Sequence, residues 1–247
     1  MLAERAARTA GEVLLTRYGG PVEGLERKSS VTDPVSDADR AAEDAIRKLL
    51  AAERPDDGLL AEEGSRAEAA SGRQWIVDPL DGTVNYLYGF PAWCVSVALR
   101  DGEGNAVGVV RDPLRDETFR AARSHGCELN GSPVRVRERD DLSRALVATG
   151  FAYDQERRTR QAEVVRRVLP QVRDIRRAGA AALDLSWLAA GRLDGYWERG
   201  LRAWDWAAGR LLVEEAGGAV AELPGEPYGL VAANPALLPA LAALVSA

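Results

Sequence analysis

Trp75-Ile76-Val77-Asp78-Pro79-Leu80-Asp81-Gly82-Thr83-Val84-Asn85 reads as a buried strand that stops at Pro79 and turns through Gly82 toward a short helix. Two carboxylates, Asp78 and Asp81, leave the end of that strand. Side by side they repel and are costly to bury, so a bound cation is the reasonable compensation, and hard divalent ions such as Mg²⁺ favour oxygen ligands. The Leu80 carbonyl lies between the two acids and can face the same ion. Gly82 and Thr83 then offer backbone N–H groups at a helix start, a ready anion site. A cation beside such a site is the arrangement phosphoryl chemistry needs, because the metal neutralises phosphate oxygens while the N–H groups hold them. Alone, the fragment reads equally well as a solvated acidic turn that binds nothing.

Further carboxylates decide between the two. Leu59-Leu60-Ala61-Glu62-Glu63-Gly64 puts an acidic pair at the end of another apolar run, and Trp204-Asp205-Trp206 puts Asp205 near a helix start. Taken singly, Asp205 is a first-turn acid and the Glu pair an exposed strand end.

Helical spacing of Leu2, Ala6, Ala10, Val13 and Leu14 predicts an opening helix, and Ser36 caps a second one with stripe Ala42, Ala45, Ile46, Leu49 and Leu50. From Leu59 to Leu129 short apolar runs at Trp75 to Val77, Val95 to Leu99, Val107 to Val110 and Thr118 to Ala121 predict a mostly antiparallel sheet. Beyond Asn130-Gly131 strand-like and helix-like stretches alternate: strands at Ala145 to Thr149 and Arg192 to Glu198, helices at Gln155 to Leu169, Ala180 to Ala190 and Trp204 to Ala216. The expected fold class is therefore α/β, with an α+β half at 1–137 carrying most metal ligands and an α/β half at 138–247 carrying Asp205. A cleft between halves is the natural place for a site.

Composition removes other chemistries. The 247 residues carry 32 Lys and Arg against 38 Asp and Glu, a net charge of −6, which disfavours general binding to nucleic acid or anionic lipid. No apolar run approaches the roughly 18 residues of a spanning helix, and no signal-peptide core follows the charged start, so a reducing cytoplasm is expected. One histidine and two cysteines exclude zincin and zinc-cluster motifs, leaving any metal to oxygen ligands. His125 has no GxSxG elbow near it and reads as a surface turn residue. The basic pairs Arg157-Arg158, Arg166-Arg167 and Arg176-Arg177 read as solvated helix faces or internal ion pairs.

With these residues in view, the chain resembles the inositol monophosphatase family, within the lithium-sensitive, Mg²⁺-dependent phosphatase superfamily that also holds fructose bisphosphatases. The resemblance rests on Asp78-Pro79-Leu80-Asp81-Gly82-Thr83-Val84-Asn85-Tyr86, Asp33-Pro34-Val35-Ser36-Asp37-Ala38-Asp39, Glu62-Glu63, Gly89-Phe90-Pro91, Asp112-Pro113 and Asn130-Gly131. It continues through Ala181-Ala182-Leu183-Asp184-Leu185, Gly191-Arg192-Leu193-Asp194-Gly195, Trp204-Asp205 and Glu215-Ala216-Gly217-Gly218, so it covers nearly the whole chain. It implies a layered α-β-α-β-α sandwich, a homodimer, and two Mg²⁺ ions with a weaker third near Glu62. Glu62, Asp78 and the Leu80 carbonyl would hold one ion, and Asp78, Asp81 and Asp205 the second.

The same resemblance assigns the remaining roles. Thr83 and Asp33 would orient the attacking water, with Glu62 counted among the catalytic groups. Gly82 and Thr83 would grip phosphate, Glu198 would take substrate hydroxyls, and Ala181 would bring backbone groups to the ring. Asp81 and Asp205 would also lie against substrate. Many relatives carry Ser or Thr where this chain has Ala180, which removes one polar contact to the alcohol. The Asp81-to-Tyr86 version with Tyr88-Gly89-Phe90-Pro91 looks most like bacterial inositol-1-phosphate phosphatases, with fructose 1,6-bisphosphatase or histidinol-phosphate phosphatase as alternatives. Some bacterial relatives also associate with RNA-processing or transcription complexes, so a non-catalytic interaction protein is the rival of another class. A pseudoenzyme should have lost ligands, and this chain has lost none.

Overall fold

The computed structural model describes residues 1–20, 26–27 and 34–246, the segments 26–27 and 34–35 by backbone only. Elements are numbered along the chain. The large sheet runs from edge to edge as β10 (Ser132–Val134), β9 (Cys127–Leu129), β8 (Glu117–Ala122), β7 (Gly104–Asp112), β6 (Cys94–Asp101), β5 (Gln74–Asp81), β3 (Gly58–Ala61) and β4 (Arg66–Ala67). Only the β3–β5 pair is parallel, so the mostly antiparallel expectation holds. A second sheet runs β12 (Asp174–Arg176), β11 (Leu146–Thr149), β13 (Gly195–Arg199), β15 (Gly229–Ala233) and β14 (Ala219–Glu222), parallel at β11 and antiparallel around β15. A short ribbon pairs β1 (Glu26–Arg27) with β2 (Pro34–Val35).

Helices fill the spaces between and outside the sheets. α1 (Leu2–Leu15) and α2 (Asp37–Glu53) pack on each other and on the outer face of the large sheet. Small buried side chains at Ala3, Ala6, Ala7, Ala10 and Ala42 let their backbones approach, and Ile46, Leu50 and Leu14 seal the layer. α2 starts where Ser36 predicts, because the Ser36 N–H donates to Asp39 Oδ2 at 2.9 Å in a capping box.

α5 (Ala181–Ala189) and α6 (Ala203–Glu215) lie between the two sheets. Flanked by a sheet on either side, α5 shows no single apolar stripe and buries residues all round. The central core that α5 and α6 form draws on both sides of residue 137, from Ile76 and Val110 to Leu185, Leu212 and Tyr196. α4 (Gln155–Val168) and α7 (Leu238–Ser246) cover the far side of the small sheet, where Leu241 of α7 packs in one cluster with Val147, Trp197 and Val231 of the sheet. The result is the expected α-β-α-β-α sandwich. α3 (Thr83–Leu87) is the short helix after β5. Among the described residues no helix is long and apolar enough to cross a membrane.

One irregularity in β5 positions the site. Asp78 pairs with Ser96 and Asp81 with Cys94, so three steps on β5 match two on β6. In a regular strand residues three apart point to opposite faces; the extra residue of this bulge, where Pro79 contributes no N–H, brings both acids to one side.

Candidate active site

A cleft of ≈ 350 Å³ opens at the ends of β3 and β5, beside the N-terminal ends of α5 and α6. Glu62, Asp78, Leu80, Asp81, Gly82 and Thr83 line one side of it; Ala181, Glu198 and Asp205 line the other. Every residue expected at the site is there except Asp33, which lies outside the described residues.

The carboxylates are held by backbone donors. Asp78 is 1% exposed, accepts the Leu80 N–H at 3.0 Å on Oδ1, and shares a hydrogen bond with Glu62. Burial first, then the charges of Glu62, Asp81 and Asp205, push its carboxyl well above the ordinary range. Asp81 Oδ2 accepts the Ala182 N–H at 2.7 Å from the first turn of α5, with the Cys94 thiol 3.6 Å away. Burial raises Asp81 to about 6 against the lowering effect of that N–H. Asp205 Oδ2 accepts the Arg202 N–H at 2.6 Å as part of the α6 cap, yet burial and Glu62 still push it well up.

Gly82 caps α3 with φ +94°, a left-handed conformation, and a side chain there would meet the Ala92 carbonyl at 2.9 Å. Asn85 pins the same turn by donating to the carbonyls of Ala92 at 2.6 Å and Ala178 at 2.8 Å. The Thr83 hydroxyl has one proton and two acceptors in reach, Asp39 Oδ1 at 3.0 Å and the Leu80 carbonyl at 3.1 Å. Asp39 is thus the carboxylate that the structure pairs with Thr83, the place expected for Asp33. From sequence Asp39 reads only as a first-turn acid of α2. It is that too, and the capping bonds from Ser36 are what aim its other oxygen at Thr83.

Across the cleft, Glu198 Oε2 accepts the Tyr196 hydroxyl at 2.6 Å. Its carboxyl is pushed up to about 7, chiefly by burial, while Tyr196 and the Arg177 charge pull it down. A Cβ on Gly150 would collide with the Glu198 carboxylate, so only glycine leaves room for this placement. Behind it Asp184 is buried with Oδ1 unpartnered, and burial followed by Glu198 raises it well above the ordinary range. Tyr196 and Gly150 carry no signal in the sequence beyond ordinary core composition, while Asp184 stands in one of the motifs of the resemblance without a role attached to it.

The donor set fits a hard divalent cation: carboxylates and one carbonyl, with Asp78, Asp81 and Asp205 free of ion pairs among the described residues. No three His, Cys, Asp or Glu among the described residues already stand together as a finished cage, because these acids are turned onto the N–H groups named above. His125 sits in an exposed turn, its Nδ1 2.7 Å from the Arg123 carbonyl, and both cysteines are free and buried.

Comparison with known proteins agrees with this geometry. The family model described as "Inositol monophosphatase family" matches residues 1–247. The chain is 46% identical over 223 residues to a protein named Nus factor SuhB from Xylella fastidiosa, covering 90% of this chain and 80% of that one. Among solved structures, extragenic suppressor protein suhB from Bartonella henselae superposes with a TM-score of 0.92 at 37% identity, covering 99% of this chain and 96% of the other. Inositol monophosphatase from Anabaena (Nostoc) sp. PCC 7120 gives 0.86 at 36% identity, covering 99% and 93%. The chain belongs to the inositol monophosphatase family.

Proposed function

We propose that this chain is a Mg²⁺-dependent phosphomonoesterase that hydrolyses inositol 1-phosphate to inositol and phosphate. The observation that carries this reading is the gathering of Glu62, Asp78, Asp81 and Asp205 in one cleft beside the Thr83–Asp39 hydrogen bond. Glu62, Asp78 and the Leu80 carbonyl would hold one ion, Asp78, Asp81 and Asp205 a second, with room for a third near Glu62. When bound, such ions neutralise phosphate oxygens, acidify water and stabilise a leaving oxygen.

The chain's own groups supply the rest. The Thr83 hydroxyl, donating to Asp39, keeps its lone pairs free to accept from the attacking water, and Asp39 is the sink toward which that proton moves. As the water oxygen bonds to phosphorus, the P–O ester bond breaks and the leaving oxygen takes up a proton from solvent water to become the alcohol. Gly82 and Thr83 N–H groups would hold phosphate oxygens in line. Glu198 would accept from polyol hydroxyls, with Ala181 alongside. The same reading carries lithium sensitivity, a homodimer and a cytoplasmic location.

The test is phosphate release with and without Mg²⁺ from inositol 1-phosphate, fructose 1,6-bisphosphate, histidinol phosphate and adenosine 3′,5′-bisphosphate. Mg²⁺-dependent turnover led by inositol 1-phosphate and lost in Thr83→Ala supports the reading; no turnover by folded protein overturns it. A second reading draws on the name Nus factor carried by the Xylella fastidiosa relative: a role beside the transcription machinery. Association with RNA polymerase that survives in Thr83→Ala would support that role, separately from catalysis.

A further inference from the structure

β6 supplies no carboxylate to the cleft, yet it is the strand against which both acids of β5 lie: Asp78 pairs with Ser96 and Asp81 with Cys94. Alternation along β6 sends Cys94 and Ala98 into the central core around α5 and α6, and Val95 and Val97 into the opposite core under α1 and α2. Ser96 shares the face of Cys94 and Ala98. Two short polar side chains, 0% and 1% exposed, therefore stand in the buried run Cys94 to Ala98 on the side that carries α6.

Buried donors of this kind cost stability unless each has a partner, and both have one at the cleft. The Cys94 thiol donates to Asp81 Oδ2 at 3.6 Å, the same oxygen that takes the Ala182 N–H. The Ser96 hydroxyl donates to the Trp204 carbonyl at 3.2 Å, one residue before Asp205. α6 comes close enough to be held because Gly108 on β7 has no side chain: a Cβ there would meet the Ala208 carbonyl at 2.8 Å. Farther along the helix, Asn105 donates to the Ala207 carbonyl at 2.9 Å. The helix is thus docked on β6 and β7 by its own carbonyls, and Ser96 makes the contact beside its acid.

We propose that Cys94 and Ser96 are positioning residues for the cation-binding acids: β6 holds Asp81 through the thiol and Asp205 through the Trp204 carbonyl, so that both stand beside Asp78 before an ion arrives. This rests on the reading of these three acids as ligands of a divalent cation. Carboxylates that repel one another spread apart unless something restrains them, and restraint built into the fold is ordering that binding no longer has to supply. Groups that orient metal ligands in this way are worth about 10- to 100-fold in metal affinity.

The experiment is calorimetric titration with Mg²⁺ alone, no ester present, alongside the melting temperature of the metal-free protein. It compares wild type, Cys94→Ala, Cys94→Ser, Ser96→Ala and the control Val97→Ala, which trims the same strand on its other face. The expected result is a Kd for Mg²⁺ raised about tenfold in Cys94→Ala and in Ser96→Ala. Cys94→Ser keeps a donor in place and should stay within about threefold of wild type. Val97→Ala should lower the metal-free melting temperature and leave the Kd unchanged, which separates positioning from packing. An unchanged Kd in both alanine variants, or an equal rise in Val97→Ala, overturns the proposal; a rise confined to one alanine variant overturns the role of the other residue. If the Kd values follow the expected pattern while wild type hydrolyses none of the esters, the phosphatase reading fails and the positioning role stands.

Discussion

The two carboxylate regions of the cleft solve the problem of burial in opposite ways. At the β5 end Asp78, Asp81 and Asp205 are each pushed up by burial and then by neighbouring acids, and backbone N–H groups of Leu80, Ala182 and Arg202 hold them in place. At the β13 end Glu198 is held by the Tyr196 hydroxyl over the bare Cα of Gly150, and the Arg177 charge favours its ionised form. The first region is repulsive as it stands and suited to a cation. In the second, Glu198 has a hydroxyl donor and a nearby positive charge of its own, and it exchanges hydrogen bonds with what enters. On that contrast, substitutions at the two ends should fail in different ways, one in metal-dependent rate and the other in substrate affinity.

The largest effect is expected at Asp78. Asp78→Asn keeps shape and removes the carboxylate that burial and the charges of Glu62, Asp81 and Asp205 oppose, so Mg²⁺-dependent turnover should fall by about 10³-fold, the scale for losing a group that acts on developing charge. Metal-free protein should at the same time unfold at equal or higher temperature, because mutual repulsion is relieved. Thermal unfolding with and without Mg²⁺ checks this; a variant that is destabilised without metal would break the comparison.

At the other end Gly150→Ala forces the Glu198 carboxylate out of its place. The expected outcome is a KM for inositol 1-phosphate raised about ten- to a hundredfold with kcat much less affected, since an uncompensated polar contact to substrate is worth about 1–3 kcal/mol. Tyr196→Phe deletes only the hydroxyl, leaving Glu198 in place but less well held. KM should rise by about fivefold to tenfold, and the acid limb of the kcat/KM profile should move to higher pH, because the Tyr196 bond is what lowers the Glu198 carboxyl. A drop in kcat alone would assign Tyr196 to packing.

These predictions rest on features that the sequence shows unevenly. The strand, stop and turn from Trp75 to Asn85 are legible because Pro79 and Gly82 each forbid the regular continuation, and the alternation of β6 to β8 carries the large sheet. β12 and β14 are not: three or four residues paired along one side, Asp174–Arg176 and Ala219–Glu222, are too short for alternation to register. Asp39 is hidden by its own local job as a helix-capping acid, since contact with Thr83 bridges 44 positions in the chain. The basic pairs are half readable. Arg176 does what a solvated arginine should and pairs with Asp174, while its neighbour Arg177 turns into the cleft, a division that only the direction of successive side chains decides.

The smallest effect tests the β13 end without any substrate. Glu198 sits at about 7 in the folded protein against an ordinary 4.5, chiefly through burial. A carboxyl raised on folding binds its proton more tightly in the folded state, so its contribution to stability is whole below the unfolded value and is lost as pH rises through the folded one. Metal-free wild type should therefore lose stability between about pH 4.5 and about pH 7, and Glu198→Gln should lose less over the same window. Asp184 and the β5 acids titrate in the same direction in both proteins, and because Glu198 raises Asp184 the difference between the two curves reads Glu198 together with its push on Asp184. The Glu198 proton itself supplies at most about 1.4 kcal/mol per pH unit of that difference. Urea midpoints across the window read it directly. Parallel curves would mean that Tyr196 and Arg177 already offset the burial of Glu198 in full, leaving the β13 end even further from the self-repelling acids of β5.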